Sequence, residues 1–183
     1  MRITKQALNT RWALASLSGA IVYAVLIWWD LRLKALSGYS TYDLQGFSTA
    51  HQYNDAFRVW PSRYAVRAGF AWGIDYLLMP LYATAFFYSG ILVREAFALR
   101  GSLLARILTA LSVVPILGAA LDAVENALQL SMMLTAPTDS RAAMALAVSN
   151  AKWIAVYVGF LLLAGALFAR AMERRKRALK TGP

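Results

Sequence analysis

Polar residues in this chain are gathered between four long apolar runs. The first spans about Trp12 to Trp29, and the second about Phe70 to Val93, broken by Asp75. The third starts near Ile107 and continues through Leu130; the fourth covers about Ser149 to Phe168, with Lys152 near its start. A transmembrane helix needs about 20 mostly apolar residues, so each run is long enough to cross a bilayer. Leu and Ala dominate, with Gly and Ser scattered among them, as in helices that pack closely in lipid. No strand-type alternation long enough for a barrel appears. The pattern predicts an all-α fold: one polytopic domain over 1–183, with four transmembrane helices (12–29, 70–93, 107–130 and 149–168) in a bundle. It leaves a long outer loop at 30–69 and a basic tail at 170–183.

Composition agrees with this reading. The chain is 60% hydrophobic with only 15% charged residues, against about 25% charged in a soluble domain. It has no Cys, which removes disulfide and thiolate chemistry. The first apolar run follows Arg2, Lys5 and Arg11, and Ala35-Leu36-Ser37 resembles a cleavage site. The run is nevertheless longer than the 7–15 residues of a signal core, so a retained helix is expected.

Net charge is +10, and its placement matters more than its size. Arg2, Lys5, Arg11, Arg94, Arg100, Arg106, Arg170, Arg174, Arg175, Lys176, Arg177 and Lys180 fall on one side of a four-span chain. Arg32, Lys34, Arg58, Arg63, Arg67 and Arg141 fall on the other. Twelve cations against six predict a multi-pass protein with both termini cytoplasmic. The basic end RRKRALK is then a topology signal rather than a nucleic-acid patch, with anionic-lipid binding secondary.

The candidate chemistry lies inside the spans. Asp75 falls about 7 Å below the start of the second span, at ~1.5 Å rise per residue. Asp122, Glu125, Asn126 and Gln129, spaced i, i+3, i+4 and i+7, share one face near the outer end of the third span. Lys152 lies about one turn into the fourth. Asp75, Met79 and Tyr82 make a similar stripe on the second, where Pro80 frees the carbonyl of Tyr76. A polar stripe facing lipid is expensive, so these faces should turn into the bundle and converge. Three acids there face one lysine, and the imbalance calls for a proton, a loop Arg, a cation or water. Two readings stand side by side: polar helix–helix contacts worth roughly 0.6–2 kcal/mol each, or a site for a ligand, ion or proton. Lys152 taken alone reads as a snorkelling side chain.

The outer loop is too long for a simple connection. Residues Ser48 to Trp60 can form a short helix with Ala50, Tyr53, Phe57 and Trp60 roughly on one face. Asp43, Gln45, His51 and Trp60 are its candidate contributors to a lid over the polar cluster, or to an interfacial anchor.

Asp43-Leu44-Gln45, Trp60, Asp75-Tyr76-Leu77-Leu78-Met79-Pro80-Leu81-Tyr82 and Leu121-Asp122-Ala123-Val124-Glu125-Asn126 together resemble a pattern in uncharacterised four-span bacterial membrane proteins. The resemblance covers about residues 43–130. It implies the four-span topology and draws attention to these residues, but it implies no reaction.

Familiar cofactor and catalytic fingerprints are missing. There is one His, no H-E-x-x-H, no Walker A or Rossmann glycine pattern and no G-x-S-x-G. No cofactor is expected, and no metal site is assigned, although Asp75, Asp122, Glu125 and Asn126 are hard oxygen ligands of the kind that suit Mg²⁺ or Ca²⁺. The leading reading is a non-enzymatic protein with an outward-facing intramembrane site for a lipid headgroup, small amphiphile or ion, built from Asp75, Tyr82, Asp122, Glu125, Asn126, Gln129 and Lys152. The second is an accessory or assembly subunit of a larger membrane complex. The third is a lipid-active enzyme using a carboxylate pair as general acid and base. Expected partners are membrane lipids, with a small amphiphile, proton or cation, other membrane subunits or a second copy beside them, and no nucleic acid.

Overall fold

The computed structural model describes residues 4–98 and 101–180, apart from the side chains of 177, 178 and 180. Over those residues the chain is helical, in the order α1 (Lys5–Ser37), α2 (Thr41–Leu44), α3 (Ala50–Arg58), α4 (Ser62–Phe97), α5 (Leu103–Leu134) and α6 (Asp139–Lys180). α1, α4, α5 and α6 are long and apolar enough to cross a membrane, and they pack as a bundle. The 33 residues of α1 make a rod of about 50 Å, longer than the ~30 Å hydrocarbon layer, so helix ends project beyond it. We call the end carrying residues 38–61 and 135–138 the loop end, and the opposite end the termini end.

Local sequence sets the helix boundaries. Thr4 caps α1 by accepting from the Ala7 amide at 3.2 Å. Gly38 ends α1 at φ 85°, a left-handed backbone that glycine adopts without steric cost. Capping boxes start the two short helices: Ser40 with Asp43 at α2, and Thr49 with Gln52 at α3. Pro61 occupies the N-cap of α4. The spans are thus longer than their apolar runs, because capping rather than hydrophobicity decides where a helix stops. The segment between α1 and α4 is 38–61, shorter than the 30–69 expected. The helix expected over Ser48–Trp60 is trimmed to Ala50–Arg58, and α2 was not anticipated. The basic segment after Arg170 continues α6 as helix to Lys180.

Close approach of small residues joins three of the long helices. A Cβ on Gly118 of α5 would lie 2.9 Å from that of Ala155 on α6. One on Gly90 of α4 would overlap the Ser112 side chain on α5, and one on Gly159 of α6 would overlap the Phe86 ring on α4. Such contacts bring backbones together where lipid offers little hydrophobic drive for association.

α1 sits outside this trio, packed along α4. Gly19 lies against Leu81 and Tyr82, Trp12 Nε1 donates to Ser89 Oγ at 2.8 Å, and Trp29 Nε1 donates to the Arg67 carbonyl at 2.9 Å. At the termini end α1 also reaches α6, through the Lys5–Glu173 ion pair and the Arg170 guanidinium over the Trp12 ring. At the loop end α2 and α3 fold over the bundle as an apolar plug of Leu33, Leu44, Tyr53, Trp60, Trp72 and Met132. Tyr53 is fully buried there, its hydroxyl donating to the Leu44 carbonyl at 2.9 Å.

Candidate functional site

The four polar residues of the α5 stripe all turn inward. Asp122, Glu125, Asn126 and Gln129 are 6, 0, 2 and 1% exposed. Helical spacing puts them on one face, and the contacts of α5 with α4 and α6 set that face inside the bundle.

A continuous polar chain runs across the three helices. Trp72 Nε1 of α4 donates to Gln129 Oε1 at 3.1 Å, and Gln129 Nε2 donates to Glu125 Oε1 at 2.8 Å. Lys152 Nζ of α6 lies 2.5 Å from Glu125 Oε2 and 3.0 Å from Asp122 Oδ1. The Tyr82 hydroxyl of α4 closes the chain by donating to Asp122 Oδ2 at 3.1 Å. Lys152 is 3% exposed, so it does not snorkel. The two carboxylates that α5 brings opposite it offer its ammonium a better partner than interfacial water.

Asp75 stands apart from this chain. Its Oδ2 accepts from Asn126 Nδ2 at 2.8 Å, and its Oδ1 accepts no hydrogen bond from the described residues. Asp75 faces a cavity of about 290 Å³, shared with Asp122, Asn126, Gln129, Lys152 and Tyr82. The remaining wall is mostly apolar: Ala15, Gly19 and Leu26 from α1, and Val156, Phe160 and Leu163 from α6. Tyr23 of α1 and Phe160 of α6, each 50% exposed, line the cavity together with Tyr42 of α2 at 57%, so its exposed rim runs between α1 and α6 and up to α2. The polar floor and the apolar walls together form an amphipathic pocket close to the lower bound, roughly 300 Å³, of small-molecule sites.

One wall residue escaped the sequence reading. Asp30, 6% exposed, belongs to α1 rather than to the loop expected over 30–69. It accepts from the Thr41 amide and hydroxyl at 2.8 Å each and from the Tyr42 amide at 3.1 Å, anchoring the start of α2 beside the cavity. Its signal was an acid directly after the last tryptophans of an apolar run, followed by a Ser-Thr pair suited to a helix start.

The loop candidates divide. Gln45 lines the cavity and accepts from Trp153 Nε1 at 3.0 Å, tying the α2 segment to α6. Asp43 is a capping residue outside the cavity, 2.7 Å from Lys34 Nζ. Burial tends to push its carboxyl up, but hydrogen bonds from Lys34 and Ser40 outweigh this and hold its pKa below the usual value. His51 is exposed beside Asp55 on α3 and takes no part. Trp60 donates to Ser37 Oγ at 2.9 Å and belongs to the plug. Neither His51 nor Trp60 reaches the polar cluster, because the α3 face that carries Tyr53 packs on the bundle end rather than over the cavity.

Among the described residues no group of three or more His, Cys, Asp or Glu side chains is placed to hold a metal ion. Asp122 and Glu125 instead hold a lysine between them. Comparison with protein families, curated proteins and solved structures gives no match to this chain. The fold and site geometry therefore define the class, a four-helix membrane protein with an intramembrane polar cluster, and they supply the functional reading that follows.

Proposed function

We propose that this protein is a multi-pass protein of the bacterial inner membrane, with both termini in the cytoplasm, that binds an amphiphile in the cavity between α1 and α6. The polar end of the ligand meets Asp75 and Asn126, and its apolar chain lies along Val156, Phe160 and the facing side of α1. The loop end is then the outer end, so the site opens sideways into the outer leaflet. The observation that carries this reading is a cavity with a polar floor and apolar walls whose exposed rim includes Tyr23 and Phe160 on two long apolar helices. Helix–helix adhesion accounts for the chain from Trp72 to Tyr82, but it requires no cavity beside that chain and no open oxygen on Asp75. A bare cation is favoured less, because the Lys152 ammonium already fills the space between Asp122 and Glu125.

Filling the cavity tests the proposal. Val156→Trp from the α6 wall and Ala20→Trp from the α1 wall place indoles where the apolar chain would lie. The full-length protein, extracted in a nonionic detergent with its native lipids, is examined by native mass spectrometry. Wild type should retain one bound amphiphile, and both variants should lose it while unfolding at the wild-type temperature. Equal retention in all three proteins would overturn the proposal.

A further inference from the structure

We infer that the amphiphile is cationic, an amine-bearing molecule whose ammonium group is received by Asp75. The inference rests on the amphiphile reading above and specifies the chemistry at the polar end.

Charge and geometry carry it. The intramembrane cluster holds three carboxyl groups, Asp75, Asp122 and Glu125, and one ammonium, Lys152. Lys152 is fully engaged: it is 3% exposed, with Asp122 and Glu125 both within 3.0 Å. An anionic headgroup therefore finds no free donor charge at the floor, and it would have to approach the surplus carboxylate. Asp30, on the α1 wall, is a further acid, satisfied by three hydrogen bonds from Thr41 and Tyr42.

Asp75 is the acid with capacity left. Asp75 lines the cavity; Asn126 occupies its Oδ2, and Oδ1 has no partner among the described residues. A carboxylate in an apolar setting gains most from a cation that brings N–H donors to it. The rings of Trp72, Tyr82 and Trp153 surround the same floor, and aromatic faces attract an ammonium that has left water. Trp153 already accepts one such contact, with the Lys152 ammonium 5.4 Å from its ring centroid. An uncharged alcohol would find the hydrogen bond but not the charge pairing.

The test uses three probes with one chain length: dodecylamine, dodecanol and dodecyl sulfate. Each is titrated into the full-length protein held in peptide discs, and binding is followed calorimetrically for wild type, Asp75→Asn and Asp75→Glu. Wild type should bind dodecylamine about tenfold or more tightly than dodecanol, a difference of about 1.4 kcal/mol, and should show no saturable binding of dodecyl sulfate. Asp75→Asn keeps the side-chain shape and should abolish the preference for the amine over the alcohol. Asp75→Glu restores the charge and should recover it, which separates charge from general damage to the fold. If amine and alcohol bind equally in wild type and Asp75→Asn, the amphiphile reading stands and the cationic inference falls. Tighter binding of dodecyl sulfate would overturn the inference directly. If none of the three probes binds, both readings fall.

Discussion

Replacing Lys152 with Met probes the energetics of the buried cluster most sharply. The side chain keeps nearly the same length and loses only its charged end. In the native protein that end lies 2.5 Å from Glu125 Oε2 and 3.0 Å from Asp122 Oδ1, with the two carboxylate side chains 0 and 8% exposed. The substitution leaves both without their counter-charge and out of reach of bulk water. Removing one partner of a buried ion pair costs about 3–5 kcal/mol, most of it the penalty of the orphaned charge. For a chain of this size that corresponds to a fall in melting temperature of roughly 6–20 °C. Thermal unfolding in a nonionic detergent at neutral pH reads the loss. Glu125→Gln alone should cost less, since Gln still accepts from Gln129 and Lys152 keeps Asp122. Adding Glu125→Gln to Lys152→Met should then recover stability, because one orphaned charge disappears, with a coupling of about 0.5–3 kcal/mol between the two sites. A Lys152→Met protein within about 0.5 kcal/mol of wild type, or strictly additive effects of the two changes, would refute the view that Lys152 is the counter-charge of Asp122 and Glu125.

Further predictions address the topology, the helix contacts and the loop end. Reporter fusions after Lys180 and between Glu95 and Gly101 should read cytoplasmic, and a fusion near Ser40 should read external; a cytoplasmic Ser40 fusion would reverse the orientation of the site. Gly118→Val should destabilise the protein by about 1–3 kcal/mol in thermal unfolding, since even a Cβ there lies 2.9 Å from Ala155 Cβ, whereas Gly69→Ala, with nothing within 4 Å, should be close to neutral. Asp43→Asn should lower stability at pH 7 by up to about 1 kcal/mol, because the amide still accepts from Ser40 but loses the charge that meets Lys34 and strengthens the α2 cap. Because the folded pKa of Asp43 lies below the unfolded value of about 3.9, its contribution is complete above that value and is lost as pH falls through the folded pKa. The variant should therefore show a flatter acid-side decline below about pH 4, and parallel pH profiles for the two proteins would contradict the assignment.

The four spans were legible because bilayer thickness imposes a length on apolar runs that no loop satisfies by chance. The α5 stripe was legible because i, i+3, i+4, i+7 spacing admits one face, and the cost of exposing that face to lipid turns it inward. Asp75 and Lys152 could be put at similar depth by counting residues from the span starts. Sequence does not reveal which apolar faces touch, because lipid and a neighbouring helix ask for the same side chains. The position of α1 outside the α4, α5 and α6 trio, and hence the cavity between α1 and α6, was therefore not readable. Nor was the role of Lys152. A lysine near the end of an apolar run usually reaches for the interface, and only the two carboxylates that α5 brings opposite it reverse that preference. Asp30 and the α2 segment were missed for a different reason. A four-residue helix carries too little periodicity to detect, and the carboxylate that holds its first amides comes from eleven residues earlier in the chain.

A density map of the full-length protein in discs of its native lipids, with a rigid antibody fragment bound for size, tests the central proposal most directly. The result expected is an elongated density between α1 and α6. Its polar end should lie about 3 Å from an Asp75 oxygen, and its tail should run along Val156 and Phe160. A map in which α1 closes onto α6, bringing Tyr23 against Phe160 and leaving no space beside Asp75, would contradict it.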